Sequence, residues 1–124
     1  MNNERPNALA LTKFSFPFVA IASIFHRITG VILFAGLVFV LAALDMAVDS
    51  EAGFEQAKAL MALPVGKFIT WGLLSSLIYH FFAGIKHLLL DFHIGDELYS
   101  AKIATVIALT SSAICVALAG VWLW

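Results

Sequence analysis

Charge is what this chain has least of. Asp, Glu, Lys and Arg make up 12% of its 124 residues, against 62% hydrophobic, and its mean hydropathy is +0.99. A soluble domain is roughly half apolar and a quarter charged, and a core of this size cannot hide so much apolar surface from water. The solvent must therefore be lipid. A net charge of -1 with no basic face excludes a nucleic-acid partner. The single cysteine, Cys115, excludes a disulfide within the chain and any cysteine cluster for iron–sulfur ligation. There is no phosphate-cradling glycine loop, hydrolytic constellation or internal repeat, so by itself the chain is not expected to be an enzyme.

What is present is three long apolar runs: Phe18 to Leu44, Val65 to Leu90 and Ile103 to Trp124. Spanning a bilayer takes about 20 helical residues. No run alternates with the period of two that a strand requires. The expected fold is all-α and integral to the membrane: one transmembrane domain over 1–124, with an arm over 1–17 and helices at about 18–44, 65–90 and 103–124. The arm, MNNERPNALALTKFSFPF, carries Glu4, two prolines and no small-residue cleavage site, so it does not read as a signal peptide. Pro17 suits a first helical turn, where its missing N–H costs nothing.

Basic residues set the expected orientation. Arg5, Lys13, Arg27, Lys86 and Lys102 fall on the side of the N-terminus and second loop, against Lys58 and Lys67 on the other. The positive-inside rule puts the N-terminus in the cytoplasm and the C-terminus outside, with Trp71, Trp122 and Trp124 near the outer interface. In the first loop, Phe54, Ala57 and Met61 fall on one side of a short interfacial helix. Ala104, Ala108 and Ser112 form a small-residue stripe for close packing of the third helix.

Two polar stripes interrupt the apolar runs. In SIFHRITG, Ser23 and Arg27 share a face at i, i+4, with His26 one ridge aside and Gly30 two turns below Ser23. In YHFFAGIKHLLLDF, His80, Gly84, His87 and Asp91 fall at about 0°, 40°, -20° and 20° around a helix of 3.6 residues per turn. Asp91 is placed to pair with His87. Intramembrane ionisable groups cost about 2.5–3.5 kcal/mol each near the bilayer centre, and they usually face a partner or ligand. The bland alternatives are a snorkelling Arg27 and a His80 that merely bonds a neighbouring helix. The functional reading of His80 is haem ligation, with Gly84 making room for a flat group and the propionates reaching toward His26, Arg27 and His87. No other deep histidine exists in this chain, so a partner would supply the second axial ligand.

These stripes resemble the signatures of the cytochrome b subunit of succinate dehydrogenase, the larger membrane anchor of complex II. Its patterns are an early Arg-Pro followed by S-x-x-H-R-x-[S/T], then H-x-x-x-[G/A]-x-R-H-x-x-x-D. Here they stand as Arg5-Pro6, Ser23 to Thr29, and His80 to Asp91, and the first loop's Gly-Phe-Glu-Gln-Ala also fits. The chain departs from the pattern at Asn7, where an aliphatic residue is usual, and at Lys86, which keeps the charge of an arginine and loses its fork. The resemblance implies a partner anchor completing a helical bundle, an iron–sulfur subunit and a flavoprotein subunit. The arm's lack of an Arg-rich, acid-poor transit-peptide composition points to a bacterial inner membrane. It implies Ser23 and Arg27 as quinone-binding residues, with Leu11 and Phe16 lining the mouth. It implies His80 as axial ligand of a shared haem b, with His26, Arg27, Gly84 and His87 around it. Ubiquinone would be the electron acceptor. Alternatives are a fumarate reductase anchor, a plain membrane tether, or a proton relay through His26, His80, His87 and Asp91.

Overall fold

The computed structural model describes residues 17–94 and 98–124, which form four helices: α1 (Pro17–Asp49), α2 (Glu51–Ala62), α3 (Pro64–Asp91) and α4 (Leu98–Leu123). No strand occurs among the described residues. Leu11, Phe16 and the Arg5-Pro6 pair lie outside them. Stretches Phe18–Asp49, Pro64–Asp91 and Tyr99–Leu123 are long and apolar enough to cross a membrane. The three-span, all-helical expectation is therefore met, and the chain is a multi-pass membrane protein. Helix ends overrun the apolar runs, because a polar turn remains helical where it leaves hydrocarbon. α1 continues past Leu44 to Asp49, and α4 starts at Leu98, ahead of Ile103. At 1.5 Å per residue α1 is about 50 Å long, well beyond a hydrocarbon core of about 30 Å, so it tilts or projects.

The interfacial helix expected in the first loop is α2. Ser50, in extended backbone, starts it by accepting the Gly53 N–H at 2.9 Å, and Glu51 sits in its first turn, where the helix dipole favours an acid. Only Leu63 separates α2 from α3, which opens on Pro64 at its first position. α3 closes with a 6→1 and 5→2 pair of hydrogen bonds: Ile94 N–H to Leu89 O at 2.8 Å and His93 N–H to Leu90 O at 2.9 Å. His93 adopts the left-handed φ of 62° that this closure requires, a place glycine usually takes.

α3 is the central helix, packed along both α1 and α4, while α1 and α4 barely meet. The α3–α4 seam is built from small groups. Ala83 on α3 and Ala101, Thr105, Ala108 and Ser112 on α4 are all buried. The stripe on α4 thus runs one ridge from the expected one: Ala108 and Ser112 belong to it, while Ala104 is only half-buried. Thr105 and Ser112 donate their hydroxyls back to Ala101 O and Ala108 O at 2.8 and 2.7 Å, which hides their polarity inside α4. At the far end of this seam Trp71 donates its indole N–H to Val116 O at 3.0 Å. Phe68, Trp71 and Trp124 meet edge to face with centroids 6.0–6.3 Å apart. Trp71 and Trp124 therefore lie at one end of the bundle, as their expected shared interface requires. Elsewhere large apolar side chains point outward, among them Phe34 at 81% exposure. An outward apolar surface of this extent is what lipid or a partner helix covers.

Candidate functional site

The two polar stripes face each other across the α1–α3 seam, and the helices interlock there through glycine. A Cβ added at Gly30 would stand 3.1 Å from Cε1 of His80, and one at Gly84 would stand 3.5 Å from Nε2 of His26. Each helix thus offers a bare backbone surface to the other helix's imidazole. The space expected over Gly84 is filled by a flat group from this chain, the His26 ring. His26 and His80 stack nearly parallel, with centroids 4.1 Å apart and planes 12° from one another. His87 packs on the other side of His26 at 4.9 Å with a 54° tilt. Tyr79 anchors the same seam by donating its hydroxyl to Ala22 O.

Hydrogen bonds fix the His80 tautomer. Its Nδ1 lies 3.1 Å from His26 O and 3.1 Å from Thr29 Oγ1. Thr29 in turn donates its hydroxyl to the same His26 carbonyl at 2.9 Å. A carbonyl oxygen can only accept, so Nδ1 of His80 carries the proton and Nε2 keeps its lone pair. An imidazole held in this way has the tautomer that a metal takes at Nε2, oriented from behind by carbonyl and hydroxyl. Nε2 of His26, by contrast, is buried without a hydrogen-bond partner among the described residues. A buried lone pair or N–H with no partner costs free energy, and such a group points to something further that belongs beside it.

The row of imidazoles is not a metal cage. Lone pairs lie in the ring planes, and two rings stacked nearly parallel cannot aim them at one ion. No group of three His, Cys, Asp or Glu among the described residues could hold a metal ion. The donor set fits an iron already held by a macrocycle, which would take the single lone pair of His80 here and its other axial ligand from another chain.

The remaining expected residues fall less tightly together. Ser23 is half-buried and Arg27 exposed on α1, and neither makes a hydrogen bond or ion pair with a described residue. Asp91 is exposed, and no hydrogen bond or ion pair joins it to His87, since the helix brings the two to one face without closing the gap between them. Lys86 is buried in the α3–α4 seam, 4% exposed, with Nζ 3.5 Å from Thr105 Oγ1. Thr29 is the residue that sequence reading passed over as a site. Its spacing of three from His26 was the available signal, since a helical threonine bonds the carbonyl one turn back.

These features define a class: a three-span membrane protein with a row of three imidazoles gathered between the first and central spans, in which Nε2 of His26 is buried without a partner among the described residues. Residues 1–119 match the family described as succinate dehydrogenase/fumarate reductase transmembrane subunit, and the chain belongs to that family. It is 39% identical over 126 residues to the succinate dehydrogenase cytochrome b556 subunit of Coxiella burnetii (strain RSA 493 / Nine Mile phase I), with the whole of both chains covered. Its identity to the cytochrome b556 subunit of Paracoccus denitrificans is 37% over 98 residues, covering 79% of this chain and 75% of that one. With the cytochrome b560 subunit of Reclinomonas americana it shares 36% over 96 residues, covering 73% and 67%. Family membership implies that the chain works together with other subunits.

Proposed function

We propose that this chain is the cytochrome b anchor of a succinate:quinone oxidoreductase, providing one axial imidazole of a haem b and part of a ubiquinone-reducing pocket. The observation that carries the reading is the His80 side chain. In the middle of a membrane helix its Nδ1–H is committed to the His26 carbonyl and Thr29, and its Nε2 lone pair is kept for an acceptor. Haem b, when bound, supplies a one-electron centre within the membrane. His80 would be one residue holding it, and a histidine of a second anchor subunit would be the other. His26 and His87 lie beside it to meet its polar edge. The names of the relatives, cytochrome b556 and b560 subunits, support a haem of this type.

Ser23 and Arg27 form the quinone-binding stripe, with Leu11 and Phe16 of the arm completing the mouth. Ser23 orients a carbonyl or methoxy oxygen of the ring by hydrogen bonding. Arg27, whose guanidinium is committed to no described residue, stabilises negative charge as the quinone is reduced. Electrons arrive from a flavoprotein subunit that oxidises succinate, through an iron–sulfur subunit on the cytoplasmic face of a bacterial inner membrane. The N-terminus and second loop lie on that side by their basic residues. The 1–124 stretch acts as one transmembrane unit, and a fumarate reductase anchor would use the same groups in reverse.

A proton relay is less well supported. Below His80 the helix offers only Thr70, Ser75 and Ser76. Thr70 and Ser76 donate to Gly66 O and Gly72 O of their own helix, at 2.8 and 2.9 Å, which leaves the unpartnered hydroxyl of Ser75 alone and too little for a track across the membrane. The deciding experiment is the reduced-minus-oxidised absorption spectrum of the purified complex, wild type beside His80→Ala. A b-type band that the substitution abolishes or shifts is expected. A wild-type complex without such a band would remove the ligand role and leave Ser23 and Arg27 to be judged as a quinone stripe alone.

A further inference from the structure

Thr29 belongs to neither the iron ligand set nor the quinone stripe, yet it makes two contacts that bear on His80. Its Oγ1 lies 3.1 Å from His80 Nδ1 while its hydroxyl proton goes to His26 O at 2.9 Å. The only arrangement of protons that satisfies these contacts together with the 3.1 Å approach of His80 Nδ1 to His26 O is one in which the imidazole N–H is shared between two oxygens. Thr29 therefore closes a three-membered ring of hydrogen bonds across the seam. A hydroxyl that donates its own proton becomes a better acceptor, because chained hydrogen bonds polarise one another. Gly30, whose added Cβ would stand 3.1 Å from His80 Cε1, lets the ring settle deep enough to reach both oxygens.

We propose that Thr29 is a positioning residue that sets the electron-donating strength and the orientation of His80 toward iron, and so helps set the reduction potential of the haem. The inference rests on His80 being the axial ligand. The physical reason is that a second acceptor on Nδ1–H draws that proton outward and leaves more electron density at Nε2. A stronger donor favours ferric over ferrous iron and lowers the potential. Valine is the matched probe, since it keeps the branched shape and helical rotamer of threonine while removing the hydroxyl. Serine restores the hydroxyl without the methyl group.

The test is a potentiometric titration of the haem in the intact purified complex: wild type, Thr29→Val, Thr29→Ser and His80→Ala. Thr29→Val is expected to keep the b-type band and move its midpoint potential upward by about a tenfold change in the oxidised-to-reduced ratio, which is 59 mV for one electron. Thr29→Ser is expected to return most of the way. Loss of haem in Thr29→Val with retention in Thr29→Ser would equally assign the role to the hydroxyl. An unchanged or lowered potential in Thr29→Val overturns the inference, as does a Thr29→Ser complex that behaves like Thr29→Val, since packing alone would then account for the effect. Absence of the band in wild type, or its persistence unaltered in His80→Ala, removes the ligand reading and this inference together. A band lost in His80→Ala but indifferent to Thr29→Val removes this inference alone.

Discussion

The two faces of α3 solve opposite problems. Toward α4 it meets a seam in which polarity is internalised. Thr105 and Ser112 bond to their own helix, Trp71 finds a carbonyl, and alanines let the backbones close. Toward α1 it meets a seam in which three imidazoles crowd together and one buried nitrogen has no partner. Hydrogen bonds between membrane helices contribute only about 0.6–2 kcal/mol each, so neither face is held chiefly by polar attraction. Each seam keeps one buried polar atom without a partner among the described residues, Nε2 of His26 on the α1 side and Oγ of Ser75 beside Ser112 on the α4 side. The difference lies in the crowding of three imidazoles on the α1 face alone.

Substitutions can break this contrast, and the largest effect is expected on the α1 side. His80→Ala should abolish or shift the haem band while the complex still assembles, as judged by co-purification of the other subunits. Arg27→Ala comes next. On the proposed role of Arg27 in stabilising the reduced quinone, removing its charge should lower quinone reductase turnover by about 10²-fold or more, with the haem spectrum retained. Arg27→Lys should recover only part of it, because the ammonium lacks the guanidinium fork.

Packing changes sharpen the comparison further. Gly30→Val puts a branched side chain against the His80 ring, and overpacking of this kind costs about 1–3 kcal/mol. Haem content of the purified complex should fall with it. Ala108→Leu on the opposite face should cost a similar amount, visible as a lower melting temperature in detergent, yet leave the haem band and its potential unchanged. If both substitutions perturbed the haem alike, the two faces would not be separate. The smallest effect is expected from Lys86→Met. A buried ammonium with one long contact to a hydroxyl carries a desolvation cost that an apolar side chain avoids. Melting temperature should hold or rise slightly, by the equivalent of about 1 kcal/mol or less.

Much of this was legible in the residues. Apolar runs gave the three spans because a bilayer demands length and hydrophobicity in one segment. Periodicity put His80, Gly84 and His87 on one face, and the structure keeps them there. Helix ends were harder to read, since Asp45 to Asp49 and Leu98 to Lys102 stay helical although their composition no longer looks membranous. What periodicity cannot give is the register between helices. The stacking of His26 on His80, the use of Gly84 by His26, and the turn of Lys86 toward Thr105 all depend on how far one helix slides along another. A difference of one ridge moved the packing stripe on α4 from Ala104 to Ala101 and Thr105. Leu11 and Phe16, proposed for the quinone mouth, lie outside the described residues, and their part rests on the family pattern.

The central position of α3 also bears on how the protein is made. α1 and α4 meet almost solely through it, and a chain emerges from the ribosome N-terminal end first at about 5–20 residues per second. By the time His93 has emerged, every residue of the imidazole row has left the ribosome and α4 has yet to do so. Order of birth and order of packing therefore coincide. The histidine seam can assemble as a hairpin of two spans within the translocating chain, and α4 closes afterwards on a surface already formed.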